Sequence, residues 1–207
     1  MIELYSANTP NGLKVPITLE ELNAEYRLIK VDLSQGEQKR PAFLALNPNG
    51  RIPVLVDFDG PGAQPLSLSE SGAILLYLAQ KYGALLPEDP REYQRAMEYV
   101  FLQVASVGPM FGQAGWFLRS APEPVPLAIE RYRSESLRLT GLMDERLAEA
   151  PWLAGSSYSI ADIMHYSWLR IADYAGVDLD KFPHVQAWVE RIASRPAVQR
   201  ALARLQN

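Results

Sequence analysis

"YSANTPNGLK", residues 5–14, decides how the start of the chain is read. The residues leading into it, "IELYS", are short and alternate in polarity, which is a strand pattern. Thr9 can then cap a helix whose first position is Pro10, where a missing N–H costs nothing. Leu13, Ile17 and Leu19 carry that helix toward Leu22. Pro16 opposes it, because an interior proline removes a hydrogen bond and crowds the preceding turn. A helix with a kink or an irregular first turn is therefore expected. Strand, polar turn and helix start is also a place for reactive cysteines, and this chain has 0.

Outward from there, the pattern keeps alternating. "YRLIKVDL" reads as a second strand, and "PAFLALNP" as a short helix stopped by Asn47-Pro48-Asn49-Gly50. "IPVLVDF" and "PLSLS" read as a hairpin joined by "DGPGAQ". "SESGAILLYLAQKYG" is a helix ending at Gly83. The order βαβαββα suggests a thioredoxin-like α/β domain over residues 1–83. A proline- and charge-rich linker follows at 84–90. Beyond it no strand pattern recurs. "YQRAMEYVFLQVASVGPMF", "LAIERYRSESLRLTGLMDERLAEA", "IADIMHYSWLRIADYAG" and "VQAWVERIASRPAVQRAL" are helical by periodicity. Residues 91–207 are expected to form an all-α helical bundle domain.

Composition narrows the function. The chain has 207 residues, 48% hydrophobic and 21% charged, enough for a real core. A net charge of -4 and a pI near 5.3 argue against a nucleic-acid surface. The absence of cysteine excludes a disulfide scaffold, a CxxC pair and a thiolate metal site. His165 and His184 are the only histidines and lack metal-ligand spacing, so no metal is expected. "MIELYSANTP" lacks the pattern of a signal peptide, and no apolar run approaches the roughly 20 residues that span a bilayer. A cytoplasmic protein with no membrane partner is expected.

The helix opening at Thr9 presents unpaired N–H groups and a partial positive charge, a site for an anion. The Thr9 hydroxyl and the Asn11 amide add donors, and Gly12 leaves room for a ligand. A free thiol is only about 3% ionised at pH 7. Lowering its pKa by about two units needs roughly 2.7 kcal/mol of preference for the anion. The helix dipole supplies about 0.3–1 kcal/mol, up to about 2, and a hydrogen bond to a charged group about 1.5–3. Dipole plus aimed donors therefore suffices to hold a thiolate that arrives on a ligand. The plain alternative is that Thr9 caps a helix and nothing more.

Three further stretches admit two readings each. Ile52-Pro53 either starts an edge strand with a trans bond or, in cis, turns the Ile52 backbone outward to pair with an extended peptide. Glu70 and Ser71 either open a helix in the usual way or hold the ammonium and carboxylate of an amino-acid end. Gln38 and Arg40, in "GEQKR", either belong to a solvated loop or bind a carboxylate.

"NPNGRIPVL", "LSESGAILLYLAQKYG" and "YSIADI", in this order, resemble the glutathione transferases, from Met1 to the last helices. "TPNGLK", "GPMFGQ" and "AIERYRSE" narrow the resemblance to the nu class, which implies a glutathione-dependent disulfide-bond oxidoreductase and a homodimer. It implies that Thr9 and Asn11 stabilise the glutathione sulfur, that Gln38 and Arg40 meet the glycine end, and that Ile52, before a cis Pro53, pairs through its backbone. It further implies that Glu70 and Ser71 hold the γ-glutamyl end and that Arg131 approaches the peptide, from the same subunit or its partner. Glutathione, reduced or oxidised, would be a substrate, with a small-molecule disulfide or electrophile as the other. Conjugation or isomerisation on a carbon electrophile is the alternative activity, and a non-catalytic interaction protein the alternative class. Tyr5 and Ser6 are not expected to activate the sulfur. Ser159 and Asp162 form a capping box, a folding element outside the site.

Overall fold

Alternation in the first segment buries Ile2, Leu4 and Ser6 and leaves Glu3 and Tyr5 half-buried, as a strand lying on a core requires. The computed structural model describes residues 1–206. Its contacts divide the chain into two units, Met1–Ala84 with the segment from Ser194 on, and Leu85–Ala193. No helix among the described residues is long and apolar enough to cross a membrane.

The first unit runs β1 (Ile2–Ser6), α1 (Pro10–Glu21), β2 (Tyr26–Lys30), α2 (Pro41–Leu46), β3 (Val54–Asp57), β4 (Leu66–Ser69) and α3 (Ser71–Tyr82). This is the expected βαβαββα order. The sheet order is β2-β1-β3-β4. β1 and β2 are parallel, with Leu4 opposite Leu28, while β3 runs antiparallel to both β1 and β4. Val54, Leu55 and Val56 are all buried, as expected for an inner strand. Tyr5 turns to the opposite side from Leu4 and meets Phe43 of α2, ring edge to face at 6.3 Å.

α1 runs through Pro16 as a single helix. The reason lies outside the helix. Pro16 cannot donate to the carbonyl four residues back, so Gly12 O lacks its helical partner. The buried Ser6 hydroxyl donates to that oxygen at 2.8 Å. Gly12 must also be small, because a Cβ there would lie 2.0 Å from Ala7 O. The space at Gly12 is therefore filled by the chain's own loop, which corrects the expectation that it admits a ligand.

The last helix departs from the expected domain boundary. "VQAWVERIASRPAVQRAL" is two helices, α8 (Pro183–Ala193) and α9 (Pro196–Gln206), because Pro196 restarts the chain at a first helical position. α9 belongs to the first unit, so residues 91–207 do not form one body. It buries Ala197, Val198, Ala201 and Leu205, and its arginines, with Arg195 just ahead of it, bind α1. Arg195 meets Glu21 at 2.6 Å, Arg200 and Arg204 meet Glu20 at 2.7 and 2.8 Å, and Arg204 lies 4.6 Å over the Tyr26 ring.

The second unit holds α4 (Pro90–Leu102), α5 (Gly108–Arg119), α6 (Pro126–Glu149), α7 (Ile160–Leu169) and α8. Between α4 and α5, residues Gln103–Val107 form a π-helical turn in which Gly108 N–H donates to Gln103 O. Pro109 cannot donate to the carbonyl of Ala105 and its ring would crowd it, so a widened turn relieves the conflict. His165 is fully buried, with Nε2 2.8 Å from Tyr99 O, which makes it a packed helix residue.

Candidate functional site

The N-terminus of α1 is built as the sequence suggests and carries one residue more. Thr9 has extended backbone, and its Oγ1 accepts from Gly12 N–H at 3.0 Å. Capping uses a lone pair, so the hydroxyl proton is still there to be donated. Capping therefore leaves the Thr9 hydroxyl able to donate. The first turn of α1 contains no acidic side chain, which leaves the positive end of its dipole uncompensated. Asn11 is exposed at this end.

Lys14 lies one turn further on and is 1% exposed. Its Nζ donates to Asn11 Oδ1 at 2.9 Å and to Ser71 Oγ at 3.3 Å. Burial pulls its pKa down to about 7, against the charge of Glu70, which holds it up. The structure therefore brings Asn11 and Ser71 to one ammonium, although 60 positions separate them in sequence. Sequence reasoning missed Lys14. The available signal was a single charged residue inside the apolar run "GLKVPI".

Glu70 and Ser71 open α3. Ser71 is buried, while Glu70 is exposed and makes no capping bond. Glu70 has φ of 69° and ψ of 111°, a region that costs a non-glycine residue energy. Such strain clusters where a fold must present a side chain or backbone group to a ligand.

Ile52-Pro53 is a cis bond, and Ile52 lies just outside the paired register of β3. The turn before it is tied by Asn47, whose Nδ2 donates to Arg51 O at 2.7 Å. Gly50, at φ of 63°, packs closely on the loop that carries Gln38. A Cβ there would lie 2.9 Å from Gln38 O, and Lys39 Nζ donates to Asn49 O at 3.3 Å. The loop with Gln38 and the segment with Ile52 are thus held side by side. Gln38 Oε1 is buried and has no hydrogen-bond partner among the described residues. Arg40 is exposed and pairs with Glu37 at 2.9 Å, an arrangement that contributes little to stability. Arg131 lies exposed on α6, in the second unit.

Comparison with known proteins gives this arrangement its setting. The family described as "Glutathione S-transferase, N-terminal domain" matches residues 1–80, and "Glutathione S-transferase, C-terminal domain" matches 109–196. The disulfide-bond oxidoreductase YfcG of Escherichia coli (strain K12) is 49% identical over 100% of this chain and 96% of its own length. The chain belongs to the glutathione S-transferase family.

Solved structures of other glutathione transferases agree with the fold. One from Burkholderia graminis, with two glutathione molecules bound per subunit, is 40% identical with a TM-score of 0.92, covering 97% of this chain and 87% of that one. One from Pseudomonas putida, with one glutathione disulfide bound per subunit, is 41% identical with a TM-score of 0.92, covering 97% and 90%. In the present transferase the two hydroxyls of β1 are otherwise engaged. Tyr5 donates to Glu3 at 3.1 Å, and burial together with Glu3 pushes its phenol pKa up. Ser6 is committed to Gly12 O.

Proposed function

We propose that this transferase is a glutathione-dependent thiol/disulfide oxidoreductase of the nu class, acting as a cytoplasmic homodimer. The observation that carries this reading is the N-terminus of α1, where a hydroxyl proton, an amide and an uncompensated helix dipole converge in a chain of 0 cysteines. Such a site suits a sulfur anion supplied by the substrate. The similarity to YfcG supports disulfide chemistry over carbon electrophiles.

Thr9 and Asn11 donate to the glutathione sulfur and lower its pKa. Ser71 and the first N–H groups of α3 take the γ-glutamyl carboxylate, and Glu70 takes its ammonium. The Ile52 backbone pairs with the cysteinyl residue. Gln38 and Arg40 meet the glycine end, where the buried Gln38 Oε1 gains a peptide N–H as donor. Arg131 adds a cation toward the bound peptide, from the same or the partner subunit. In reduction, the glutathione thiolate attacks one sulfur of a small disulfide and expels the other as thiolate, giving a mixed disulfide. A second glutathione thiolate attacks the glutathione sulfur of that species. Oxidised glutathione forms, the second substrate thiol leaves, and two glutathiones have supplied two electrons.

Turnover with glutathione and a small dialkyl disulfide, run beside glutathione and an aryl halide, tests the reading. Faster turnover of the disulfide is expected. Conjugation alone, or tight glutathione binding with no turnover of either, contradicts it.

A further inference from the structure

We propose that Lys14 is a positioning residue, which by donating to Asn11 Oδ1 and Ser71 Oγ turns both side chains so that each offers a proton to an anionic ligand. This rests on the reading that glutathione binds at these residues. An amide has two faces: rotated by half a turn, Asn11 would aim Oδ1, an acceptor, at the sulfur and repel a thiolate. A serine hydroxyl has the same ambiguity. Protonated, Lys14 has three donors and no acceptor, so whatever it touches must show it a lone pair, up to the pH near 7 at which burial makes it lose its proton. With Lys14 Nζ 2.9 Å from Asn11 Oδ1, the Asn11 NH2 faces away from the lysine. With Nζ 3.3 Å from Ser71 Oγ, the Ser71 proton is directed elsewhere.

The placement makes this a device and not a surface contact. Lys14 is among the largest fully buried side chains of the fold, and burying an ammonium is costly unless it is hydrogen-bonded. It sits three residues after Asn11, on a helical neighbour position, and reaches α3 from α1. One ammonium thereby ties the anchor for the thiol to the anchor for the amino-acid head, so that the two polarities are set together. A lysine that only tied α1 to α3 would matter to stability and leave the bound sulfur indifferent.

The test is the thiol pKa of bound glutathione, titrated by thiolate absorbance, in Lys14→Met, Asn11→Ala and the double variant, with glutathione affinity by calorimetry. Lys14→Met should raise the bound pKa by about one unit and weaken binding about tenfold. The double variant should raise the pKa by no more than Asn11→Ala alone, because both act through one amide. Lys14→Arg, which keeps a donor there, should restore most of the loss. An unchanged pKa in Lys14→Met, or full additivity in the double variant, overturns the role. Should Lys14→Met fail to fold, Lys14→Leu with Asn11→Ala gives the same additivity test. Absence of glutathione binding to the wild-type protein overturns the functional reading itself, and this inference with it.

Discussion

The N-termini of α1 and α7 begin alike and end differently. Each opens with a hydroxyl residue in extended backbone that caps its own first turn. At α7 the third helical residue is Asp162, whose carboxylate returns to the cap, accepting from Ser159 N–H at 3.0 Å. It also accepts from Leu153 N–H at 3.0 Å and Trp188 Nε1–H at 2.9 Å, and it is fully buried. The protein closes that terminus with its own charge. At α1 the third helical residue is Gly12, which returns nothing, and no acidic side chain sits in the first turn. The nearby buried charge is Lys14, a cation, which cannot neutralise the positive end of the helix. The two capped termini thus differ in the charge that the chain itself supplies.

Breaking the closed terminus has the largest expected effect. Asp162→Ala should cost about 3–5 kcal/mol, because it strands several buried donors, and it should show as a lower urea midpoint. A cost within about 1 kcal/mol would mean that the capping box is not what holds this terminus together.

The pH dependence of the two buried charges should have opposite sign. Burial pushes Asp162 up to about 6, so between its ordinary carboxylate value and pH 6 the folded state holds more protons than the unfolded one. Stability from this group is full below that window and falls as pH rises through it. Burial lowers Lys14 to about 7 from 10.5, so between those values the unfolded state holds more protons. Its contribution is full above pH 10.5 and lost as pH falls toward 7. Each slope is at most about 1.4 kcal/mol per pH unit. Urea titrations across pH on the ligand-free protein, with Asp162→Asn and Lys14→Met as controls, check both signs.

At the open terminus the effect should move from stability to chemistry. Asn11→Ala should lower stability by about 1–2 kcal/mol, less than Asp162→Ala, because it takes one acceptor from the buried Lys14 Nζ. It should slow disulfide reduction about tenfold, the rate equivalent of about 1.4 kcal/mol. Stability loss without a rate loss would make α1 another closed terminus. The smallest effect is expected for Arg40→Ala, below about 0.5 kcal/mol on folding because its pair with Glu37 is exposed. A severalfold loss of glutathione affinity in that variant would place Arg40 at the ligand.

The contrast also marks what the sequence could reveal. The βαβαββα order was legible because alternation, caps and turn residues are local signals. Thr9, Asn11, Glu70 and Ser71 stood out for the same reason, at helix starts. What lets Pro16 sit inside the helix, the Ser6 hydroxyl on Gly12 O, was not legible, because it depends on how β1 lies against α1. The break at Pro196 had a local signal that apolar periodicity outweighed. The docking of α9 on α1 had none, since Arg195 and Glu21 are 174 residues apart. Lys14 was hidden too, its partner lying 57 residues away: its meaning appears only when α3 brings Ser71 within 3.3 Å of Nζ.

One titration bears on the borrowed-thiolate account most directly: thiolate absorbance of glutathione on the wild-type protein, followed across pH. The bound thiol should ionise about two units below the ordinary thiol value of about 8.5. An ionisation at the ordinary value, with glutathione demonstrably bound, would contradict it.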